Sequence, residues 1–234
     1  PRSQVHFEDA RTYFSTGHKR YDVIISEPSN PWVSGVGSLF TRQFYRFLGR
    51  HLNEGGVMVQ WVHSYELDDP LLLTMLAALA QEFPHVEAYS SQGTDLILLS
   101  SHQPLPPLDL RALAGKTMAA ELERIGLAQP GDLKTRKVAN RDSLLALVAL
   151  YGAKAHSDYF PVVSLEAPKA RFIGNNAVSI DSVASSGLPV LEMTGGRTPL
   201  GDSDLVTPAR DLFGAMDYWI AVYTREALLE GRID

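Results

Sequence analysis

Apolar residues follow two different spacings along the first part of the chain. Short runs rich in β-branched residues, such as residues 23–25, are typical of strands buried on both faces of a parallel sheet. Between these runs, apolar residues recur three and four positions apart, which is typical of helices with one buried face. The pattern predicts strands at residues 5–7, 21–26, 57–62, 86–89 and 95–100. It also predicts a brief helix that follows residues 8–10 and ends at residue 14, and longer helices at 40–52 and 68–83.

The order of these elements predicts an α/β fold. Three strand-helix units follow one another, and such alternation indicates a sheet with right-handed crossovers. The last two strands are separated only by residues 90–94, so we interpret them as an antiparallel hairpin.

The character of the sequence changes near residue 104. Residues 104–107 read as a linker, and most of the sequence after them has helical spacing, at residues 108–125, 141–152 and 209–230. We therefore predict a domain over residues 1–103 and a mostly helical extension over residues 104–234.

Composition excludes several classes of function. The net charge of −6 without a long basic run argues against nucleic acid as a partner. The absence of cysteine excludes disulfides, thiolate metal sites and cysteine nucleophiles. The longest apolar run, residues 71–80, is shorter than the roughly 20 residues needed to cross a bilayer. The spacing of His63, Glu66, Asp68 and Asp69 fits no standard zinc pattern, so no metal is predicted.

The turn after the strand at residues 21–26 holds the first candidate site residues. In open α/β sheets, ligands bind just outside the carboxyl ends of the strands. Glu27 and Asn30 stand there, between prolines that end the strand. The alternative is that both side chains only cap turns in a solvated loop. Two interpretations are also open for Asp9, which can contact a ligand or cap the following helix. For this residue we favour the cap.

Several segments together resemble the spermidine synthase family, most closely its bacterial branch in which such domains are fused to membrane segments. The late segment His156-Ser157-Asp158 is also similar to the corresponding part of that family. The resemblance implies the Rossmann-like fold of class I S-adenosylmethionine-dependent transferases. The segments that carry it are Asp9-Ala10, Tyr21-Asp22-Val23-Ile24-Ile25, Glu27 to Pro31, Ser38-Leu39-Phe40 and Gly55-Gly56-Val57.

The resemblance also implies a reaction and roles for individual residues. The family transfers an aminopropyl group from decarboxylated S-adenosylmethionine to a polyamine, so this co-substrate is expected, with S-adenosylmethionine as the alternative. Glu27 matches the catalytic carboxylate that accepts the proton of the amine. Asn30, where the family has a second aspartate, and Gln60 match substrate-binding positions. Asp9 and Ala10 match the pair that meets the adenine.

The family's first two strands, with their glycine-rich loop, have no counterpart here and would precede Pro1. We therefore expect a partial sheet in which residues 23–26 pair with 57–62, while the strand at 5–7 is unpaired or displaced. The isolated chain is expected to be inactive. Its exposed strand edges favour association with the missing part of the domain or with another copy. The expected location is the cytoplasmic face, soluble as given and joined to membrane segments in the full-length protein.

Two other functions stay open. The first is an N-methyltransferase, because Asn30-Pro31-Trp32 is similar to a turn that accepts hydrogen bonds from a target amine in such enzymes. The second is a non-catalytic domain that binds a polyamine or a partner, which the asparagine at position 30 favours.

Overall fold

The structure, a computed structural model, describes residues 3–91, 95–106, 116–127, 132–178 and 180. Within these ranges the chain forms a mixed α/β fold. The strands are β1 (Tyr21–Ser26), β2 (Leu52–His63), β3 (His85–Ser90), β4 (Asp95–Ser101) and β5 (Lys137–Asn140). The helices are α1 (Ala10–Thr16), α2 (Arg42–Arg50), α3 (Asp69–Glu82), α4 (Lys116–Arg124), α5 (Asp132–Thr135), α6 (Arg141–Leu150) and α7 (Val162–Ile173), with a 3-10 helix over Val36–Phe40.

The five strands form one sheet in the order β1-β2-β4-β3-β5. β1 and β2 run parallel, with Ile24 opposite Met58 and Ser26 opposite Gln60. β4 is antiparallel to both β2 and β3. The pairing expected for residues 23–26 with 57–62 and the antiparallel hairpin are therefore confirmed. β1 is an edge strand of the described sheet, and its carboxyl end lies beside that of β2.

β5 was not predicted from the sequence. It pairs antiparallel with β3, placing Asn140 opposite Glu87 and Ala139 opposite Ala88. The strand has only four residues, of which Val138 and Ala139 are apolar, so its sequence shows no clear alternation. Residues beyond position 104 thus contribute directly to the sheet. The division at residue 103 itself stays a prediction.

α3 is the most buried helix described. Asp68 caps its N-terminus by accepting a hydrogen bond from Leu71 N, and Pro70 lies in its first turn. All residues from 71 to 80 are buried, because α2, α6 and α7 pack around the helix. The prediction of a single apolar face was too narrow, since a helix that is apolar all round belongs in a core.

Two strand predictions were wrong in part. Residues 5–7 form no strand, although the expectation that they are unpaired is confirmed; Val5 and Phe7 are 72% and 98% exposed, and no described strand lies beside them. β1 forms as expected, but only one of its faces is buried. Ile24 packs into the core, whereas Val23 and Ile25 on the opposite face are 53% and 69% exposed.

The remaining helix predictions have mixed outcomes. The helix expected over residues 40–52 is divided, because Thr41 ends the 3-10 helix and caps α2 through its hydroxyl oxygen, and Leu52 already begins β2. α6 confirms a helix within residues 141–152, and α4 covers the end of the helix expected at 108–125. The helix expected at 209–230 lies outside the described residues. In the described part of the chain, no helix is both long and apolar enough to span a membrane.

Candidate active site at the carboxyl ends of β1 and β2

The turn over residues 27–31 lies where β1 and β2 end together. Glu27 follows Ser26 directly, and it is exposed to solvent. Asn30 is half-buried, and its backbone oxygen accepts a hydrogen bond of 2.9 Å from Val33 N, so a tight turn follows it. Glu27 is thus accessible to a ligand, while the backbone of Asn30 is held by the turn.

Gln60 lies below this turn. Its side chain is fully buried, and Nε2 donates to Ser26 O at 3.2 Å and to Trp61 O at 2.8 Å. Its Oε1 is buried without a hydrogen-bond partner among the described residues. Leaving a buried carbonyl oxygen unpaired costs free energy. Gln60 Oε1 would therefore gain stability by accepting a hydrogen bond at this edge of the sheet. The structure therefore places Gln60 in hydrogen-bond contact with Ser26, the residue that precedes Glu27.

Asp9 and Ala10 begin α1. Asp9 Oδ1 accepts a hydrogen bond of 2.9 Å from Thr12 N, which makes Asp9 the N-cap and confirms that role. Ala10 is half-buried and packs against the core. Arg11 follows them and donates from Nη1 to Ser38 O at 3.0 Å. Through Arg11, the start of α1 is tied to the loop that continues from the candidate turn.

The segment His156-Ser157-Asp158 also contacts the loop that follows the candidate turn. His156 is buried, one of its ring nitrogens (Nε2) lies 2.9 Å from Gly37 O, and its backbone oxygen accepts from Arg42 N at 2.9 Å. Burial lowers the pKa of His156 despite these contacts. Asp158 binds the Arg11 guanidinium at 2.7 and 2.9 Å, which lowers the pKa of Asp158. This segment is therefore a clasp that holds α1 and the loop after the turn together.

An aromatic cluster consisting of Trp32, Trp61, His63 and Tyr65 was missed in the sequence. The His63 ring stacks on Tyr65 at a centroid distance of 4.3 Å, with Trp32 at 5.0 Å and Trp61 at 5.2 Å. Trp61 and His63 were detectable as neighbours on one face of β2, because side chains two positions apart in a strand point the same way. Trp61 is half-buried and lies in this cluster beside the turn that carries Trp32.

His63 is a neutral imidazole inside this cluster. Its side chain is 1% exposed, and neither ring nitrogen has a hydrogen-bond partner among the described residues. Burial without compensation lowers its pKa to about 4. Asp95, which faces His63 in the register between β2 and β4, also has a buried oxygen (Oδ1) without a described partner. Unsatisfied polar atoms thus gather at the same end of the sheet as Glu27 and Gln60.

The aromatic cluster already contacts one cation. The guanidinium of Arg171 from α7 lies 5.1 Å from the centroid of the Trp32 ring and 3.5 Å from a carboxylate oxygen of Glu66. Trp is the aromatic side chain that attracts cations most strongly. A ring two positions after Asn30 is thus placed where it can attract positive charge.

The described residues contain no group of three or more side chains suited to hold a metal ion. The acidic residues near His63 have other roles. Asp68 caps α3, and Glu66 pairs with Arg171. That no metal binds here stays a prediction from the sequence spacing. The contacts described give Asp68 and Glu66 structural roles.

Comparisons with known proteins give consistent results. Residues 1–92 match the family model described as spermine/spermidine synthase domain. A polyamine aminopropyltransferase of Nitrosomonas europaea is 28% identical over 151 residues, which cover 63% of this chain and 44% of that protein. Polyamine aminopropyltransferase 1 of Pseudomonas aeruginosa is 40% identical over 59 residues, 25% of this chain and 20% of that protein. The protein of Alkaliphilus metalliredigens with the same name is 31% identical over 94 residues, 39% of this chain and 33% of that protein. The chain thus spans less than half the length of these relatives.

Proposed function

We propose that the chain is part of an aminopropyltransferase acting on a polyamine, starting from the match of residues 1–92 to the spermine/spermidine synthase domain model. The observation that carries the proposal is the arrangement at the carboxyl ends of β1 and β2. There the exposed carboxylate of Glu27 follows Ser26, and Ser26 is hydrogen-bonded by the buried Gln60. Ligands of open α/β sheets bind at this edge.

In the proposed reaction Glu27 accepts the proton that the attacking amine loses. The amine nitrogen forms a bond to the carbon next to the sulfonium of decarboxylated S-adenosylmethionine, and the carbon–sulfur bond breaks to leave a thioether. A positioned general base of this kind contributes about 10²–10⁴-fold to a rate. Asn30 and the unpaired Gln60 Oε1 are proposed to hold the polyamine by accepting hydrogen bonds from its amines.

Asp9 and Ala10 are proposed to contact the adenine of the co-substrate. Asp9 fits this role because only one of its carboxylate oxygens caps α1, and no other described hydrogen bond occupies the second. The family's glycine-rich loop has no counterpart in this sequence, so we propose that the remaining part of the domain supplies it. Attachment to membrane segments at the cytoplasmic face and self-association stay predictions for the full-length protein.

The test compares two variants of the complete protein with a matched control. Glu27→Gln keeps the shape and removes the charge, so it should lower transfer to putrescine by about 10²-fold or more. Glu54→Gln makes the same change at an exposed position in the amino-terminal half of β2 and should retain activity. Asn30→Asp should tighten putrescine binding by up to about tenfold at low salt, since it adds a charge-assisted contact.

The measurement is formation of spermidine from decarboxylated S-adenosylmethionine and putrescine, with calorimetry for binding. Full activity of Glu27→Gln would overturn the assignment of Glu27. Methyl transfer from S-adenosylmethionine to an amine, without aminopropyl transfer, would instead identify an N-methyltransferase. Polyamine binding without either reaction would identify a non-catalytic domain.

A further inference from the structure

A groove of about 460 Å³ lies between α1 and α2, apart from the carboxyl-edge site. Three arginines line it, Arg11 from α1 and Arg46 and Arg50 from α2. Arg46 and Arg50 are one helical turn apart, so they lie on the same face of α2. No carboxylate is among the residues that line the groove.

Two of these arginines are held by ion pairs with carboxylates that are not among the lining residues. Arg11 donates to both carboxylate oxygens of Asp158 and to Ser38 O. Arg46 donates from Nε and Nη2 to Glu82 at 2.9 and 3.0 Å. A guanidinium has five N–H donors, so each keeps donors that these contacts do not use. Fixing a guanidinium before a ligand arrives lowers the entropy that binding costs.

The positive charge of the groove is only partly balanced. The carboxylate of Glu82 is shared between Arg46 and Arg42, each at 2.9 Å. The charges of Asp158 and Asp9 both act on Arg11. Arg50 is exposed and has no acidic partner among the described residues. Local positive charge therefore accumulates here, although the chain as a whole carries a net charge of −6.

The remaining lining suits a small organic ligand. Thr12 and Ser15 contribute hydroxyl groups, and Phe47 contributes an aromatic ring. The volume falls within the range of about 300–1,000 Å³ that is common for small-molecule sites. A phosphate group carries about −1.5 to −2 charge and three acceptor oxygens, which matches three guanidinium groups better than a planar carboxylate with two oxygens does. We propose that this groove binds the phosphate group of a small phosphomonoester.

This proposal is independent of aminopropyl transfer, since neither a polyamine nor decarboxylated S-adenosylmethionine carries a phosphate. The test titrates the 234-residue chain with phenyl phosphate and with inorganic phosphate by calorimetry at low salt. We expect saturable binding of both ligands, with phenyl phosphate tighter because its ring can contact Phe47. The affinity should fall with added salt, as for any charge interaction near the surface.

Arg50→Gln should weaken phenyl phosphate binding by about tenfold, because it removes a bidentate charged donor. Arg50→Lys should show a smaller loss, since it keeps the charge but not the fork geometry. Arg20→Gln is the matched control at an exposed arginine outside the groove, and it should bind like the wild type. Thermal unfolding of each variant confirms that it is folded.

Three results would overturn the proposal. The first is the absence of saturable binding by the wild-type chain at millimolar phosphate. The second is an equal loss of affinity in Arg50→Gln and Arg20→Gln, which would mean that only net charge matters. The third is tighter binding of benzoate than of phenyl phosphate, which would identify the groove as a carboxylate site.

Discussion

Protonation of His63 should cost the protein stability in mildly acidic solution. The ring is enclosed by Trp32, Trp61 and Tyr65, and burial lowers its pKa from 6.5 to about 4. A histidine with a lowered pKa is protonated more readily in the unfolded chain than in the folded protein. Its contribution to stability is therefore complete above about pH 6.5, declines as the pH falls towards 4, and changes little below that value.

The size of the effect follows from the two pKa values. At pH 5 the unfolded chain has His63 almost fully protonated, while the folded protein keeps most of it neutral. Proton linkage then gives a loss of about 2 kcal/mol between pH 7 and pH 5. This loss is a substantial part of the roughly 5–15 kcal/mol that stabilises a typical domain.

His63→Phe keeps an aromatic ring in the cluster and removes the titration. Urea unfolding of wild type and variant at pH 7 and pH 5 isolates the contribution of His63, because other titrating groups are common to both proteins. The wild type should lose about 2 kcal/mol more than the variant over this interval. His18→Phe, at an exposed position, should retain the wild-type loss. Equal losses in wild type and His63→Phe would refute the reasoning.

Three further predictions concern the core, a helix cap and the exposed strand. Leu76→Ala, at a position that is 1% exposed in the core, should lower the free energy of unfolding in urea by about 2–5 kcal/mol, and a loss below 1 would contradict the packing described for α3. Asp9→Ala should cost about 1 kcal/mol through loss of the α1 cap, whereas Asp9→Asn should restore most of it. Ile25→Lys should reduce self-association in analytical ultracentrifugation while changing stability by less than about 0.5 kcal/mol; unchanged association would show that this face of β1 is not involved.

The strands that could be predicted are those whose neighbours are present. β1, β2 and the hairpin of β3 and β4 were recognisable because their short apolar runs contain β-branched residues and are bounded by turn residues. Residues 5–7 have the composition of a strand but form none, since a strand needs a partner and no described strand is available to them. β5 was not predicted for the opposite reason. Its partner β3 is present, but the four residues of β5 carry no distinctive pattern.

The candidate site was predictable in position but not in its surroundings. Glu27 and Asn30 follow a strand, and the rule that ligands bind at the carboxyl ends of strands located them. The hydrogen bond from Gln60 to Ser26 depends on the register of two strands, which sequence spacing does not give. The environment of His63 depends on Trp32, which reaches it from a different segment of the chain. Contacts between distant segments are the part that a single sequence leaves undetermined.

The clasp formed by His156 has a consequence for the kinetics of folding. The contact between its ring and Gly37 O joins residues 119 positions apart, so forming it closes a very long loop. Closing such a loop costs entropy before the contact returns energy, so we predict that this contact forms after the transition state. A substitution at His156 should therefore accelerate unfolding and leave the folding rate nearly unchanged. The lifetime of the loop that follows the candidate turn would then be set by a residue far from it in the chain.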